Sequence, residues 1–260
     1  MKKMKIFKEL YNYRELLKTS IQKEIRGKYK KSFLGIFWSF LNPLLQLAVY
    51  AFIFPMILKN EQDNYIMFLF VALIPWTFFT TAVNQGTDVV VQNGNIVKKV
   101  YFPRTILPVS VVTSAAINFM ISTIIVIIFA IFTGLGISKY ILFYPLVLLI
   151  QYLVTLGIVL MLSSITVYLR DLQHIIGVVI QVLFYATPIV YAPSSIPQQF
   201  SFILTLNPMS HVINAYRDIF YYQQMPNLQS LLIVLLVGVV LCVLGYMIFT
   251  KLEKRFAEEL

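Results

Sequence analysis

Six runs of apolar residues, separated by short polar segments, dominate the chain. They cover residues 33–58, 65–83, 107–133, 140–168, 172–191 and 228–250. Each run is close to or above the roughly 20 residues that an α-helix needs to cross a hydrocarbon core of ~30 Å. The fourth and fifth runs are divided by the charged stretch "LRDLQH", since one helix over both would be too long for a bilayer. The pattern predicts an all-α membrane protein with six transmembrane helices.

The polar segments predict elements of their own. Residues 1–32 carry apolar side chains at three- and four-residue steps among many basic ones, which is typical of an amphipathic helix in the headgroup plane. A basic tail that only sets topology is the alternative. Residues 192–227 contain four prolines and a short apolar stretch, so we expect a re-entrant or surface helical pair that caps a cavity. Residues 251–260 form a polar tail.

Charge sets the expected orientation. The chain is 59% hydrophobic and 12% charged, with net charge +10. Of its 21 Lys and Arg residues, eleven precede Phe33, three lie in residues 84–106, and most of the others are Arg170 or follow residue 250. By the positive-inside rule, both termini and residues 84–106 face the cytoplasm. The basic charge is therefore a topology signal, and no nucleic-acid motif accompanies it.

The spacing of chemically active residues argues against catalysis in this chain. All eleven Asp and Glu residues lie outside the six runs, which disfavours ion-coupled transport. No pair of carboxylates has metal-ligand spacing, so we expect no catalytic and no metal site. The lone Cys242 excludes a disulfide framework. A phosphate-binding loop is also missing, so any energy must come from another chain.

The stretch "NIVKKVYFPRTILP", residues 95–108, combines cationic side chains with two prolines. Apolar positions from Asn84 to Val100 predict a short amphipathic helix along the membrane surface. Pro103 ends it and Pro108 suits the first turn of the next span. The resulting corner offers Lys98, Lys99 and Arg104 to the cytoplasm. It could transmit force from a docked soluble partner, or it could be only a topology signal and a helix start.

Four stretches in order resemble the polysaccharide-exporting ABC-2 permeases. The first is "Y-x-x-S-x-L-G-x-x-W-x-x-L-x-P", which begins at Tyr29 and ends at Pro43. The others are the corner stretch, "YLRDLQHIIGVVIQVLFYATPIVY" and "IPQQFSFILTLNPMSHVINAYRDIFY". Together they cover nearly the whole chain, and the chain is identified as a member of that family on their combination.

The resemblance implies a permease with the type V exporter fold in the bacterial cytoplasmic (inner) membrane. It implies a homodimer joined to two cytoplasmic subunits that bind ATP and Mg, with no cofactor in this chain. The expected substrate is a polyprenyl-diphosphate-linked glycan such as O-antigen, teichoic acid or capsule. The family's N-terminal interface helix maps to residues 5–28, its re-entrant pair to residues 195–222, and its coupling region to residues 84–99. The residues expected to couple to the ATPase are Asp88, Asn95, Lys98, Lys99 and Arg104.

The sequence leaves other functions open. An ABC-2 exporter of a drug or small lipid is the nearest alternative. A membrane enzyme that acts on lipid-linked sugars and an ion-coupled carrier are further ones. The enzyme predicts turnover by the purified chain alone, and the carrier predicts transport that depends on an ion gradient and ignores ATP.

Aromatic and basic residues supply a candidate glycan path. The path candidates from the first two spans are Trp38, Phe40, Tyr50, Trp76, Phe78 and Phe79. Each of these could instead belong to an interfacial aromatic belt. The candidate diphosphate contacts are Arg26, Lys28, Lys30, Lys31 and Arg217. Lipid headgroups could instead bind the first four. Arg217 could instead anchor the re-entrant segment, and for Arg217 we favour this interpretation.

Overall fold

The computed structural model describes residues 11–27, 38–58 and 64–260, which form helices and turns without any strand. The predicted all-α fold class is thereby confirmed. Short 3-10 turns lead into α6, precede α8 and join the last two helices. The helices are α1 (Arg14–Gly27), α2 (Trp38–Leu58), α3 (Tyr65–Gln92), α4 (Gly94–Lys99), α5 (Ile106–Phe132), α6 (Tyr144–Ile165), α7 (Leu172–Tyr185), α8 (Ser201–Leu206), α9 (Pro208–Phe220), α10 (Leu228–Leu252) and α11 (Phe256–Glu259).

Four of the described helices are long and apolar enough to cross a membrane: α3, α5, α10, and α6 with its leading turn. Helix α2 has 21 residues, about 31 Å at 1.5 Å per residue. Helix α7 has only 14 residues, about 21 Å, which is shorter than a hydrocarbon core of ~30 Å. Residues 33–37 of the first predicted span lie outside the described residues.

The largest differences from the predicted helix boundaries lie at the ends of the second and fifth spans. The second span was expected to end at residue 83, but α3 continues to Gln92. The predicted boundary falls where polar residues begin, whereas Gly86 packs so closely on α6 that an added Cβ would lie 2.3 Å from Val159. Packing against α6 therefore extends the helix. In the fifth predicted span, residues 172–191, the helix ends at Tyr185, and irregular backbone follows.

Helices α6 and α10 pack with their backbones in close contact. A Cβ added to Gly157 of α6 would lie 2.5 Å from the backbone of Leu241, and one added to Gly245 would lie 2.5 Å from the carbonyl oxygen of Gly157. Cys242 also donates a hydrogen bond to the Leu153 carbonyl, at 3.0 Å. Small residues at helix contacts allow this approach in a membrane, where van der Waals packing drives association. The two helices therefore form one stiff pair.

Helix α3 occupies the centre of the bundle. In its most apolar stretch 78% of the residues are buried, compared with 22% in α10, so α10 is peripheral. Pro75 lies inside α3, and its carbonyl accepts a 2.8 Å hydrogen bond from the buried side chain of Gln151 on α6. Because lipid offers no hydrogen bonds, this backbone carbonyl provides an acceptor for the buried amide of Gln151.

The two ends of the helix bundle are each held by hydrogen bonds between distant segments. We call one the corner end; it contains residues 92–106 and the C-terminal segment Glu253–Leu260. The Tyr168 hydroxyl joins the end of α6 to α10 there, with a 2.9 Å bond to the Leu252 carbonyl. We call the other the loop end; it contains residues 186–227, the start of α3 and the turn 133–139 between α5 and α6, where the Leu135 carbonyl accepts a hydrogen bond from Gln223. Tyr65 of α3 donates a 2.7 Å bond to the Val190 carbonyl at that end.

Candidate functional site

The corner is fixed where α3 passes into α4. Asn93 lies between the two helices, and its side-chain amide donates to the Val89 carbonyl at 2.8 Å. Its side-chain oxygen accepts a 3.0 Å bond from Lys23 of α1. Helix α1 also packs against α5, so the bond from Lys23 connects α1 to the corner end. This contact places α4 relative to three other helices.

Helix α4 has an exposed face and a buried one. Asn95, Lys98 and Lys99 are all exposed, as the sequence predicted for coupling residues. Ile96 is 48% exposed and the adjacent Tyr101 is 93% exposed. Val97 points the other way and is 3% exposed. The exposed face of α4, together with Tyr101, therefore combines two cations with apolar and aromatic side chains. This composition is suited to binding another protein.

The other two predicted coupling residues face inward. Asp88 accepts a 2.6 Å bond from Gln92 one turn along α3, and its other carboxylate oxygen is buried without a hydrogen-bond partner among the described residues. Arg104 is half-buried and donates to the main-chain carbonyl of Glu253 in the C-terminal segment. Its guanidinium carbon lies 5.9 Å from the centre of the Phe256 ring. Arg104 therefore contacts this chain's own C-terminus.

A second hydrophobic cluster lies under the corner, apart from the larger core of the bundle. Phe256 is 0% exposed in it and meets the Phe249 ring edge to face, at 5.5 Å between ring centres. We call this group the corner cluster. Its buried members are Val89, Val90, Val97, Phe102, Leu107, Val111, Leu160, Val167, Phe249 and Phe256. The cluster joins α3, α4, α5, α6, α10 and the C-terminal segment.

A buried arginine organises the loop end. Arg217 of α9 is 0% exposed. It donates to the carbonyls of Pro188 and Ile189 at 2.6 and 2.7 Å, and its guanidinium lies 3.5 Å from the centre of the Phe68 ring. Burial lowers the pKa of Arg217 to about 9, so the group is still protonated at neutral pH. The cation holds the irregular backbone after α7 against α3.

Asn207 supports the same segment from the start of α9. Its side-chain amide donates to the Thr187 hydroxyl at 2.8 Å, and its side-chain oxygen caps α9 at the backbone N–H of Met209, at 3.0 Å. With Pro208 in the first turn, this is a standard helix start. Together with the bonds from Tyr65 and Arg217, it satisfies backbone groups that lipid could not.

The aromatic path candidates divide into two groups. Trp76 lies 5.5 Å from Phe79 and 6.0 Å from Phe184 of α7, and Tyr50 of α2 lies 5.7 Å from the same Phe184. We call these four residues the aromatic junction. Phe78 points elsewhere: it stacks on Phe119 of α5 at 5.5 Å. Phe78 is therefore a core residue, away from the other path candidates.

Two comparisons with known proteins bear on identity. Residues 15–221 match the family described as ABC-2 type transporter. The chain belongs to this family. It is 35% identical over 259 residues to an "O-antigen export system permease protein RfbA" of Myxococcus xanthus, which covers 99% of this chain and all of the relative. A Klebsiella pneumoniae protein of the same name is 34% identical over 94% of each chain. The "Polysialic acid transport protein KpsM" of Escherichia coli is 24% identical over 75% of this chain and 77% of its own length.

The family resemblance inferred from the sequence motifs is thus confirmed. Of the predicted residues, Tyr50, Trp76 and Phe79 belong to the aromatic junction, and the others fall into three sets. Asn95, Lys98 and Lys99 share one exposed surface. Lys28, Lys30 and Lys31 lie outside the described residues, as do the side chains of Arg26 and Phe40; Trp38 is half-buried at the start of α2. The third set faces inward: Asp88, Arg104, Phe78 and Arg217.

Several residues that shape these sites escaped sequence reasoning. The predicted aromatic path contains residues of the first two spans only and therefore omits Phe184, although α7 ends in two adjacent aromatic residues. Phe256 and Lys23 carry no local signal, since their contacts join segments far apart in the chain. Among the described residues, no group of three His, Cys, Asp or Glu side chains is placed to hold a metal ion.

Proposed function

We propose that this ABC-2 chain is the membrane-spanning permease of an ATP-driven exporter that moves a polyprenyl-diphosphate-linked polysaccharide. It acts as a homodimer in the bacterial cytoplasmic membrane, with both termini and the corner end in the cytoplasm. Two separate ATP-binding subunits hold ATP and Mg and supply the energy. Similarity to two O-antigen export permeases over nearly the full chain supports the polysaccharide as substrate.

The observation that carries this proposal is the exposed face of α4 on a fixed corner. Lys98, Lys99 and Tyr101 are exposed, while Val97 and Asn93 tie the same segment to the bundle. A soluble subunit that docks on this face pushes against a support instead of a free loop. Movement of the docked subunits on ATP binding then reaches α3 and α5 through the corner cluster, because the cluster is closely packed and transmits displacement.

The aromatic junction is the proposed wall of the glycan path. Tyr50 and Phe184 are only half-buried and belong to α2 and α7, so they border a face that a second protomer could complete. Aromatic faces pack on sugar rings while leaving hydroxyl groups free to bond. Arg26, Lys28, Lys30 and Lys31 are the proposed contacts for the diphosphate at the cytoplasmic entrance, where charge-assisted bonds to phosphate are strong.

Arg217 is assigned to the loop end and not to the diphosphate. Two of its N–H groups are bonded to carbonyls and the side chain is fully buried. A phosphate could reach it only if the segment after α7 moved away. The arginine is therefore an anchor of the re-entrant segment in this proposal, in agreement with the favoured alternative from the sequence.

The test is reconstitution with the ATP-binding subunit of the proposed exporter. We expect stable co-purification and ATP hydrolysis that rises when a polyprenyl-diphosphate glycan is added. The double variant Lys98→Glu/Lys99→Glu should lose the bound subunit, since it reverses two charges on the docking face. Lys139→Glu is the matched control, because Lys139 is equally exposed at the loop end.

The outcomes separate the candidate functions. Hydrolysis stimulated by a drug or short lipid, but not by the glycan, would assign the chain to the other branch of ABC-2 exporters. Glycan turnover by the chain alone would indicate an enzyme. Transport that follows an ion gradient without ATP would indicate a carrier. Normal binding by the charge-reversal variant would move the docking surface away from α4.

A further inference from the structure

The last eight residues of the chain fold back beneath the corner. A short turn, Glu253–Arg255, ends α10 and redirects the chain into α11. Phe256 then enters the corner cluster, where it is 0% exposed. Leu260 packs on α4: a Cβ built on Gly94 would lie 3.6 Å from the Leu260 Cβ. The C-terminal segment is therefore part of the corner and not a solvated tail.

Side chains from two other elements bind the end of α10. The last carbonyl groups of a helix have no partner within it and usually bond to water. Here the Leu252 carbonyl accepts from Tyr168, which follows α6, and the Glu253 carbonyl accepts from Arg104 of the corner. Arg104 also lies beside the Phe256 ring. One aromatic anchor, Phe256, and hydrogen bonds from two other elements therefore hold the start of the segment.

Helix α4 depends on neighbours for its orientation. It has only six residues, and an isolated helix of this length is not stable in water. Its inward-facing residues are Gly94 and Val97. Gly94 contacts Leu260, and Val97 belongs to the same cluster as Phe256. The C-terminal segment therefore supplies part of the surface on which α4 rests.

We propose that the C-terminal segment Glu253–Leu260 is a positioning element that sets the angle of α4 toward the docked ATP-binding subunit and links α4 to α10. The inference rests on the proposed function. Phe256 and Arg104 act through α4 and do not touch the partner. Displacement of α4 passes through the segment to α10, and from there to α6 across the Gly157–Gly245 contact. The C-terminal segment thus connects the docking face to the closely packed pair of α6 and α10.

The first test separates docking from coupling. Phe256→Ala removes the ring from the cluster, and Phe256→Leu refills much of the space. In the purified complex with the ATP-binding subunit, we expect Phe256→Ala to keep the bound subunit but to lose the glycan-stimulated part of hydrolysis and the export per ATP. Phe256→Leu should restore both. The double variant Glu258→Gln/Glu259→Gln is the control, because these side chains are exposed on the same short helix.

The second test uses an intact cluster. A Cβ separation near 3.6 Å suits a disulfide. Gly94→Cys/Leu260→Cys, in a Cys242→Ala background, should therefore cross-link on oxidation. If the segment positions α4 throughout the cycle, the cross-linked complex exports as well as the reduced one. Loss of export that returns on reduction would overturn the proposal, since the segment would then have to leave α4.

The remaining outcomes are distinct. Unchanged export per ATP in Phe256→Ala would also overturn the proposal. Loss of export in the Glu258→Gln/Glu259→Gln control, with normal export in Phe256→Ala, would make the segment a docking surface instead. Failure of the parent chain to bind any ATP-binding subunit would instead contradict the proposed function, and the cross-link would still report whether the segment lies on α4.

Discussion

Each end of the bundle is held by one arginine that donates to main-chain carbonyls. At the loop end, Arg217 is 0% exposed and binds two carbonyls beneath the Phe68 ring. At the corner end, Arg104 is half-buried and binds the Glu253 carbonyl beside the Phe256 ring. The chemistry is the same, but Arg217 is fully buried, whereas Arg104 is half-buried next to the exposed surface that includes Tyr101.

The difference in burial indicates different tasks. At the loop end the arginine donates to buried carbonyls of irregular backbone. The segment after α7 is therefore held by contacts within the chain. At the corner end the arginine ties down one side of a short helix and leaves the other side free. A buried anchor stabilises the fold, whereas a short helix that is supported on one face and exposed on the other can bind a partner. Four variants test this comparison.

The largest effect is expected for Arg217→Met. It removes the donor from two buried carbonyls, and each unsatisfied group costs roughly 1–3 kcal/mol, so we expect a loss of about 4 kcal/mol in unfolding free energy. Denaturant unfolding in detergent would measure it. Lys139→Met, an exposed cation at the same end, should be nearly neutral. An equally small effect of Arg217→Met would mean that the loop end does not depend on this anchor.

A smaller effect is expected for Gly157→Ala, which disrupts the close contact between α6 and α10. The added methyl group would lie 2.5 Å from the backbone of Leu241, so α6 and α10 must separate. Overpacking of this kind costs about 2 kcal/mol. Gly177→Ala on α7 is the control, because no atom lies within 4 Å of its added Cβ. That control should gain up to about 1 kcal/mol of helix propensity. Equal thermal midpoints for the two variants would contradict the close contact.

Arg104→Met should cost less than Arg217→Met, about 1 kcal/mol, because the released Glu253 carbonyl can turn to water. The measurement is the same unfolding assay, with protease cleavage of the C-terminal segment as a second readout. We expect faster cleavage there and unchanged cleavage at the loop end. If the two arginine variants lost equal stability, the two ends would be equivalent and the comparison would fail.

The helices and the corner were predictable because their signals are local. Apolar runs of helix length predicted α3, α5, α6 and α10, and Pro103 correctly marked the corner between α4 and α5. The position of α4 within the sequence stretch was only partly predicted, since close packing at Gly86 extends α3 beyond the polar boundary. Local patterns report which segments form helices, and tertiary contacts set where those helices end.

The inward roles of the two arginines were harder to predict for a physical reason. Arg104 binds a residue 149 positions away, and Arg217 binds residues 28 and 29 positions away. All these partners are main-chain carbonyls, which every residue has, so no side-chain pattern marks them. A cation beside prolines was interpreted as part of a docking surface, although only Lys98 and Lys99 of that group are exposed.

The smallest effect on stability is expected for Lys98→Glu/Lys99→Glu. Both side chains are exposed, and neither has a described hydrogen bond or ion pair, so unfolding free energy should change by no more than about 0.5 kcal/mol. Binding of the ATP-binding subunit should nevertheless fall, and it should fall less at high salt than at low salt, since screening weakens the added repulsion. A stable variant that loses only its partner would establish the corner end as open. A destabilised variant would show that these lysines support the corner and do not serve as its docking face.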